Sequence, residues 1–177
     1  NESLFFVDCV CSQNHFMKKK IILLLFLTYI KATKAQTYIT IPDANFVTWL
    51  QTNIPSAMSG NQMDITHMAV TTRTIVDVQI KGIANLTGIE YFTSLKFLQC
   101  RSNQLTSLPN LPSTITDLDC EYNQLTVLPA LPPLLEELNC SFNQLSALPI
   151  LPNSITALIC ADNQLTNLPL IPSALTY

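Results

Sequence analysis

The strongest constraint on this chain is repetition. From Leu95 onward one 20-residue phrase recurs four times without insertion: LKFLQCRSNQLTSLPNLPST, ITDLDCEYNQLTVLPALPPL, LEELNCSFNQLSALPILPNS and ITALICADNQLTNLPLIPSA. A fifth copy opens at Leu175. Self-similarity at this period belongs to a solenoid, in which each unit stacks on the next, and not to a globular domain. A single unit cannot fold alone, because its few apolar side chains do not offset the entropy of ordering twenty residues. Stacking covers both open faces of a coil and pairs its strand with a neighbour.

Each position in the phrase has its own physical role. The opening residues alternate apolar and polar, as in Leu118-Asp119-Cys120, which predicts a short strand with one buried face. An asparagine follows in constant register: Asn103, Asn123, Asn143 and Asn163. Where the chain turns inward its backbone groups lose strand partners, and a side-chain amide with two donors and one acceptor can satisfy them. A leucine comes two residues later, and the return limb reads Leu-Pro-x-Leu/Ile-Pro, as in Leu128-Pro129-Ala130-Leu131-Pro132. Nine of the eleven prolines lie in these limbs. The backs of the coils are therefore expected to be extended and polyproline-like, not helical.

Leu118, Cys120, Asn123, Leu125, Leu128, Pro129, Leu131 and Pro132 together resemble the leucine-rich repeat, LxxLxLxxNxL. More narrowly they resemble its short bacterial subtype with LPxLP on the convex side, known from secreted effectors and surface proteins. The resemblance covers roughly the last hundred residues. It implies an α+β architecture: a right-handed solenoid with a parallel concave sheet, a polyproline-like convex side and a small helical N-terminal cap. The repeats are assigned to residues 75–177 and are expected to be truncated at the C-terminus, since Leu165, Leu168 and Ile171 would otherwise form an uncapped apolar end.

Ahead of the repeats the chain changes character. Residues 1–16 match neither a repeat nor a regular element and are taken as an upstream leader, absent from the mature protein. Met17 then opens a basic start (Lys18 to Lys20), the apolar run Ile21–Ile30 and small residues at Thr33 and Ala35. That is the pattern of a secretory signal peptide over 17–35, cleaved after Ala35. Ten apolar residues are about half a bilayer span, so a membrane anchor is disfavoured, and the mature chain is expected to have no transmembrane segment. No cysteine follows the run before Cys100, which removes a lipoprotein attachment site.

Residues 36–74 read as the cap. Asp43 is placed to cap a helix over Ala44–Asn53, with Phe46, Trp49 and Leu50 on one face and Pro55 ending it. Ser56–Asn61 reads as a loop and Met63–Val70 as a short turn or helix. Secreted bacterial proteins of the internalin-like kind often begin with such a helical cap, and "IPDANF" resembles that start. Thr74–Ser94 reads as a divergent first coil of the longer 22-residue type. Ile75, Val78 and Ile80 are assigned to its strand, Ile83, Leu86, Ile89 and Phe92 point inward, and Ile83 stands at the ladder-asparagine position.

Little in the chain supports catalysis. Net charge is −3 and 12% of residues are charged, which argues against a nucleic-acid partner, since neutralising phosphates needs a basic surface. His67 has no nucleophile pattern about it, and the cysteines lack metal-ligand spacing, so no enzyme activity, cofactor or metal is expected. Cys100, Cys120, Cys140 and Cys160 recur at one coil position. They read as small buried hydrophobes, with a disulfide framework as the alternative.

Between the buried strand positions the side chains face the concave side and vary from coil to coil. Asp119, Glu121, Tyr122, Glu137 and Phe142 are the candidate ligand-binding patch, because exposed aromatics beside charge have the composition of interface anchors. The expected function is a secreted or cell-surface, adhesion-type binding module for a protein or a cell-surface glycan. Two alternatives remain open: the recognition half of an effector enzyme such as a ubiquitin ligase, and a structural spacer within a longer adhesin.

Overall fold

A computed structural model describes residues 35–176. The expected leader (1–16) and signal peptide (17–35), with Cys9, Cys11 and His15, lie outside the described residues apart from Ala35. The repeats form a leucine-rich-repeat solenoid. Five short strands, β4 (Ile75–Asp77), β5 (Phe97–Gln99), β6 (Asp117–Asp119), β7 (Glu137–Asn139) and β8 (Ala157–Ile159), make one parallel sheet in sequence order. Their register superposes like positions, so that Val76, Leu98, Leu118, Leu138 and Leu158 are successive partners. The ladder runs on past the strands: the Cys120 amide donates to the Asn139 carbonyl at 2.9 Å, Tyr122 to Ser141 at 3.1 Å and Phe142 to Ala161 at 3.0 Å.

The return limbs 106–112, 126–132 and 146–152 contain no helix, because their prolines lack the amide that a helix interior requires. Leu108, Leu128 and Leu148 bury themselves from these limbs. Each limb ends in a tight turn in which the next strand's lead residue donates back to a proline carbonyl, as Leu135 does to Pro132 at 3.1 Å and Ile155 to Pro152 at 3.2 Å. One apolar core joins the coils to the cap.

The first coil departs from expectation in phase. Val76 and Val78 are its buried strand residues, while Ile75 and Ile80 are exposed. Apolar residues occupy both phases of this stretch, so alternation alone could not choose between them. Ile80 shares the parity of Val76 and Val78, but its left-handed backbone (φ 54°) turns it outward. The pairing of Ile75 with Phe97 is offset by 22 residues, as expected for the longer repeat. That offset places Lys81, not Ile83, opposite Asn103, and Ile83 aligns with Leu105. The ladder still begins at Asn103, whose Oδ1 accepts the Lys81 and Ile83 amides at 3.1 and 3.0 Å.

The cap is more than a helix. Helix α1 (Ala44–Asn53) has the expected bounds, with Asp43 Oδ1 accepting the Asn45 and Phe46 amides at 2.9 Å and with Phe46, Trp49 and Leu50 buried. Around it stand three strands absent from the sequence-based reading: β1 (Tyr38–Thr40), β2 (Met58–Ser59) and β3 (Gln62–Asp64), antiparallel in the order β1-β3-β2. The expected loop over Ser56–Asn61 includes part of a 3-10 turn (Pro55–Ala57) and β2. The expected turn or helix over Met63–Val70 is split between β3 and α2 (Met68–Thr71). Strands of two or three residues carry too little alternation to register unless a repeat restates it, as it does in the solenoid and not in the cap. Asp64 is buried beside them. Burial pushes its carboxyl up, but hydrogen bonds from the Thr66 side chain and backbone, with His67 nearby, prevail and hold it below its usual value.

Asp43 does a second job. Its other oxygen accepts the Ala84 and Asn85 amides of the first coil at 2.7 and 3.1 Å, and Asn45 Nδ2 donates to the Gly82 carbonyl at 2.9 Å. The backbone approaches closely at Gly88 (φ 110°), where an added Cβ would lie 2.6 Å from Ile41 Cδ1. The cap therefore closes the apolar end of the first coil.

Candidate binding surface on the concave sheet

The asparagine ladder sets the edge of the surface. In each coil Nδ2 donates to a carbonyl of the previous coil and to carbonyls of its own, while Oδ1 accepts an amide of the previous coil. For Asn123 these partners are Cys100 at 3.1 Å, Cys120 at 3.0 Å and Glu121 at 3.2 Å, with Leu105 N at 3.0 Å. Asn143 repeats the set against Cys120, Cys140, Ser141 and Leu125. Such bonds replace strand pairing where the chain bends inward. The residue before each asparagine is forced left-handed: Ser102, Tyr122, Phe142 and Asp162 have φ of 51–55°.

That backbone is costly for bulky side chains, yet two coils place aromatics there. Tyr122 and Phe142 stand 51% and 39% exposed, stacked with centroids 4.2 Å apart and planes 8° from parallel. Glu121 lies beside them and accepts from Asn139 Nδ2 at 3.3 Å. The middle of the sheet forms a trough of about 280 Å³ whose polar lining includes Asp117, Asp119, Glu137 and Asn139, with Phe97 and Ile159 at its two sides. Asp119 Oδ1 accepts the Glu121 amide at 3.1 Å, and Asn139 Oδ1 accepts that of Ser141 at 3.2 Å. Each turns its strand out of the sheet.

The structure thus divides the sequence-derived patch. Asp119 and Glu137 line the trough; Glu121, Tyr122 and Phe142 form its rim at the C-terminal ends of the strands. Asp117, Phe97 and Ile159 also line the trough but are not in that patch, because sequence spacing does not show which variable side chains border a common hollow. Ser141, which strand alternation places on the concave side, is only 2% exposed, and its Oγ has no hydrogen-bond partner among the described residues.

A second hollow, of about 540 Å³, lies between α1 and the first coil, lined by Asn45, Thr48, Trp49 and Asn53 on one side and Asp77, Gln79 and Lys81 on the other. Sequence reasoning missed it because it exists only where cap and coil meet. Its polar groups largely bond one another or nearby backbone: Thr48 Oγ1 donates to Ala44 at 2.9 Å, Asn53 Nδ2 to Trp49 at 2.8 Å, and Gln79 Nε2 to Gln99 at 2.7 Å.

The four repeat cysteines are free thiols, three buried and Cys160 partly so. Burial pushes all four up, Cys140 to about 12, and Cys120 is raised further by the flanking thiols. They pack as small hydrophobes, without the thiolate character that nucleophilic chemistry needs. Among the described residues no group of three or more His, Cys, Asp or Glu could hold a metal ion, and no helix is long and apolar enough to cross a membrane.

No protein-family model matches the chain, and neither does any curated protein. Solved structures do. The functional domain of InlJ from Listeria monocytogenes, a protein described as including a cysteine ladder, is 32% identical over 75% of this chain and 30% of its own, with a TM-score of 0.64. The leucine-rich-repeat domain of a Shigella effector is 32% identical over 61% of this chain and 49% of its own, with a TM-score of 0.58. YopM from Yersinia enterocolitica is 39% identical over 48% of this chain and 19% of its own, with a TM-score of 0.47. In each case the chain spans less than two thirds of the neighbour's length. The chain has the leucine-rich-repeat fold and is similar to bacterial leucine-rich-repeat proteins.

Proposed function

We propose that this chain is a binding module that recognises a protein through its concave side, and that it acts outside the cell or at its surface. The observation that carries this reading is the exposed Tyr122–Phe142 stack, which follows the C-terminal ends of the two strands that floor the trough. Aromatics so placed are the residues that anchor protein interfaces. The solenoid does not require them, since Ser102 and Asp162 occupy the same left-handed position in other coils. Export is supported by the basic, apolar and small-residue succession of Met17–Ala35, and the LPxLP limbs fit the subtype found in secreted proteins. Recognition without catalysis is inferred from the chemistry of the described residues, in which the thiols are buried and His67 Nδ1 accepts the Ala69 amide at 3.0 Å.

A second reading is the recognition half of an effector enzyme; the likeness to a Shigella effector's leucine-rich-repeat domain supports the effector part of it. The test begins with a Tyr122→Ala/Phe142→Ala double variant shown to melt like the wild type. Both proteins are applied to arrays of purified extracellular protein domains and of glycans. Protein ligands whose binding falls at least about tenfold in the variant are the expected result. Undiminished binding, or ligands on the glycan array alone, would overturn the reading.

A further inference from the structure

The floor of the trough gathers three carboxylates, and among the described residues no cationic side chain is hydrogen-bonded to them. Asp117 and Glu137 are direct partners in the β6–β7 register, so their side chains leave one face about 4.8 Å apart. Like charges placed opposite one another in a sheet repel. Asp119 adds a third carboxylate two residues along the strand. The hydrogen bonds that Asp117 and Asp119 accept come from neutral donors: Thr116 Oγ1 at 2.5 Å for Asp117 and the Glu121 amide at 3.1 Å for Asp119. The guanidinium on the same sheet, Arg101, is turned away and donates from Nε to Gln79 Oε1 at 2.6 Å.

Other features of the same hollow also point to a guest. Phe97 and Ile159, both exposed, flank the acidic floor and offer apolar contact. Toward the rim, strand alternation puts Ser141 on the concave side, and its buried Oγ has no partner. Buried polar groups in folded proteins are nearly always paired, so this hydroxyl is an unmet polar group two residues beyond Asn139, which lines the trough. The rim adds the Tyr122–Phe142 stack, and aromatic faces attract cations.

Resting on the binding-module reading, we infer that the partner is a protein segment carrying an arginine or lysine, whose cation seats between Asp117, Glu137 and Asp119. Apolar parts of the same segment pack on Phe97 and Ile159 at the two sides of the trough. Adjacent carboxylates on neighbouring strands suit a guanidinium, which can donate to both through its planar fork. A basic guest relieves the repulsion, and the net charge of −3 assists its approach.

The test uses the 177-residue protein and a fluorescein-labelled hexa-arginine peptide, followed by anisotropy at about 0.05 and 0.15 M salt. Hexa-citrulline is the neutral control. Hexa-arginine should bind and hexa-citrulline should not. The near-isosteric double variant Asp117→Asn/Glu137→Gln should weaken hexa-arginine at least about tenfold, as expected for desolvated charge pairs. A Glu136→Gln/Asp162→Asn variant changes net charge equally outside the trough lining and should stay within about twofold, as expected of solvated charges. Should the first variant fail to melt cooperatively, Glu137→Gln alone takes its place, since Glu137 is exposed and accepts no hydrogen bond that the fold uses.

Equal losses in the two double variants, equal binding of the two peptides, or no binding would each overturn the inference. The binding-module reading would survive such a failure if the protein-array ligands are still lost in the Tyr122→Ala/Phe142→Ala variant. Loss of both results would remove both.

Discussion

At the scale of single residues, the asparagines and the glutamines that follow them show how sequence repetition can mislead about importance. Both recur in each of the four 20-residue repeats, yet Asn143 is buried and bonded to Cys120, Cys140, Ser141 and Leu125, whereas the Gln144 side chain is exposed. Removing the Asn143 amide strands several backbone groups where water cannot replace it. Asn143→Ala is therefore expected to lower unfolding free energy by about 1–3 kcal/mol, and Gln144→Ala by no more than about 0.5 kcal/mol. Urea titrations followed by circular dichroism decide this; equal, small changes in midpoint would show that the ladder is not what holds the inward bend.

Among the elements, the cap depends on one carboxylate. Asp43 caps α1 through one oxygen and receives two first-coil amides through the other. Asp43→Ala should thus cost more than the loss of a helix cap alone, which is about 0.5–2 kcal/mol. It should also speed hydrogen exchange at Ala84 and Asn85 as well as at Asn45 and Phe46. Acceleration confined to Asn45 and Phe46 would show that Asp43 serves the helix only. The repeat strands need no comparable device, because each gains its partners by superposing on the one before.

For the whole molecule, that superposition has a modular consequence. Positions 20 residues apart are partners from Phe97 through Ile159, so the solenoid behaves as a stack of nearest neighbours. Deleting residues 116–135 joins Ile115 to Glu136 and removes one full period while restoring every register. This shortened protein should still unfold cooperatively, with an m-value reduced in rough proportion to the surface lost. Deleting 116–125 removes half a period and should abolish the cooperative transition. If the two deletions behave alike in urea, contacts beyond the neighbouring coil are holding the molecule together.

The repeat phrase by itself determined the solenoid, its parallel register, the buried thiol column and the extended backs. All of these follow from side-chain character recurring at fixed spacing, and stacking amplifies that pattern. The same was true of α1, whose capping aspartate and apolar face are local signals. Tertiary structure alone decided the phase of the first coil, where apolar residues filled both faces, and the short cap strands, which leave no periodicity to detect. It also decided the double use of Asp43 and the partition of the concave side chains between trough and rim. Those features depend on which distant segments meet, on Ala84 reaching Asp43 or Asp117 lying beside Glu137 in a common hollow. Spacing along one chain names the residues that face a side; only their packing says which of them share a space.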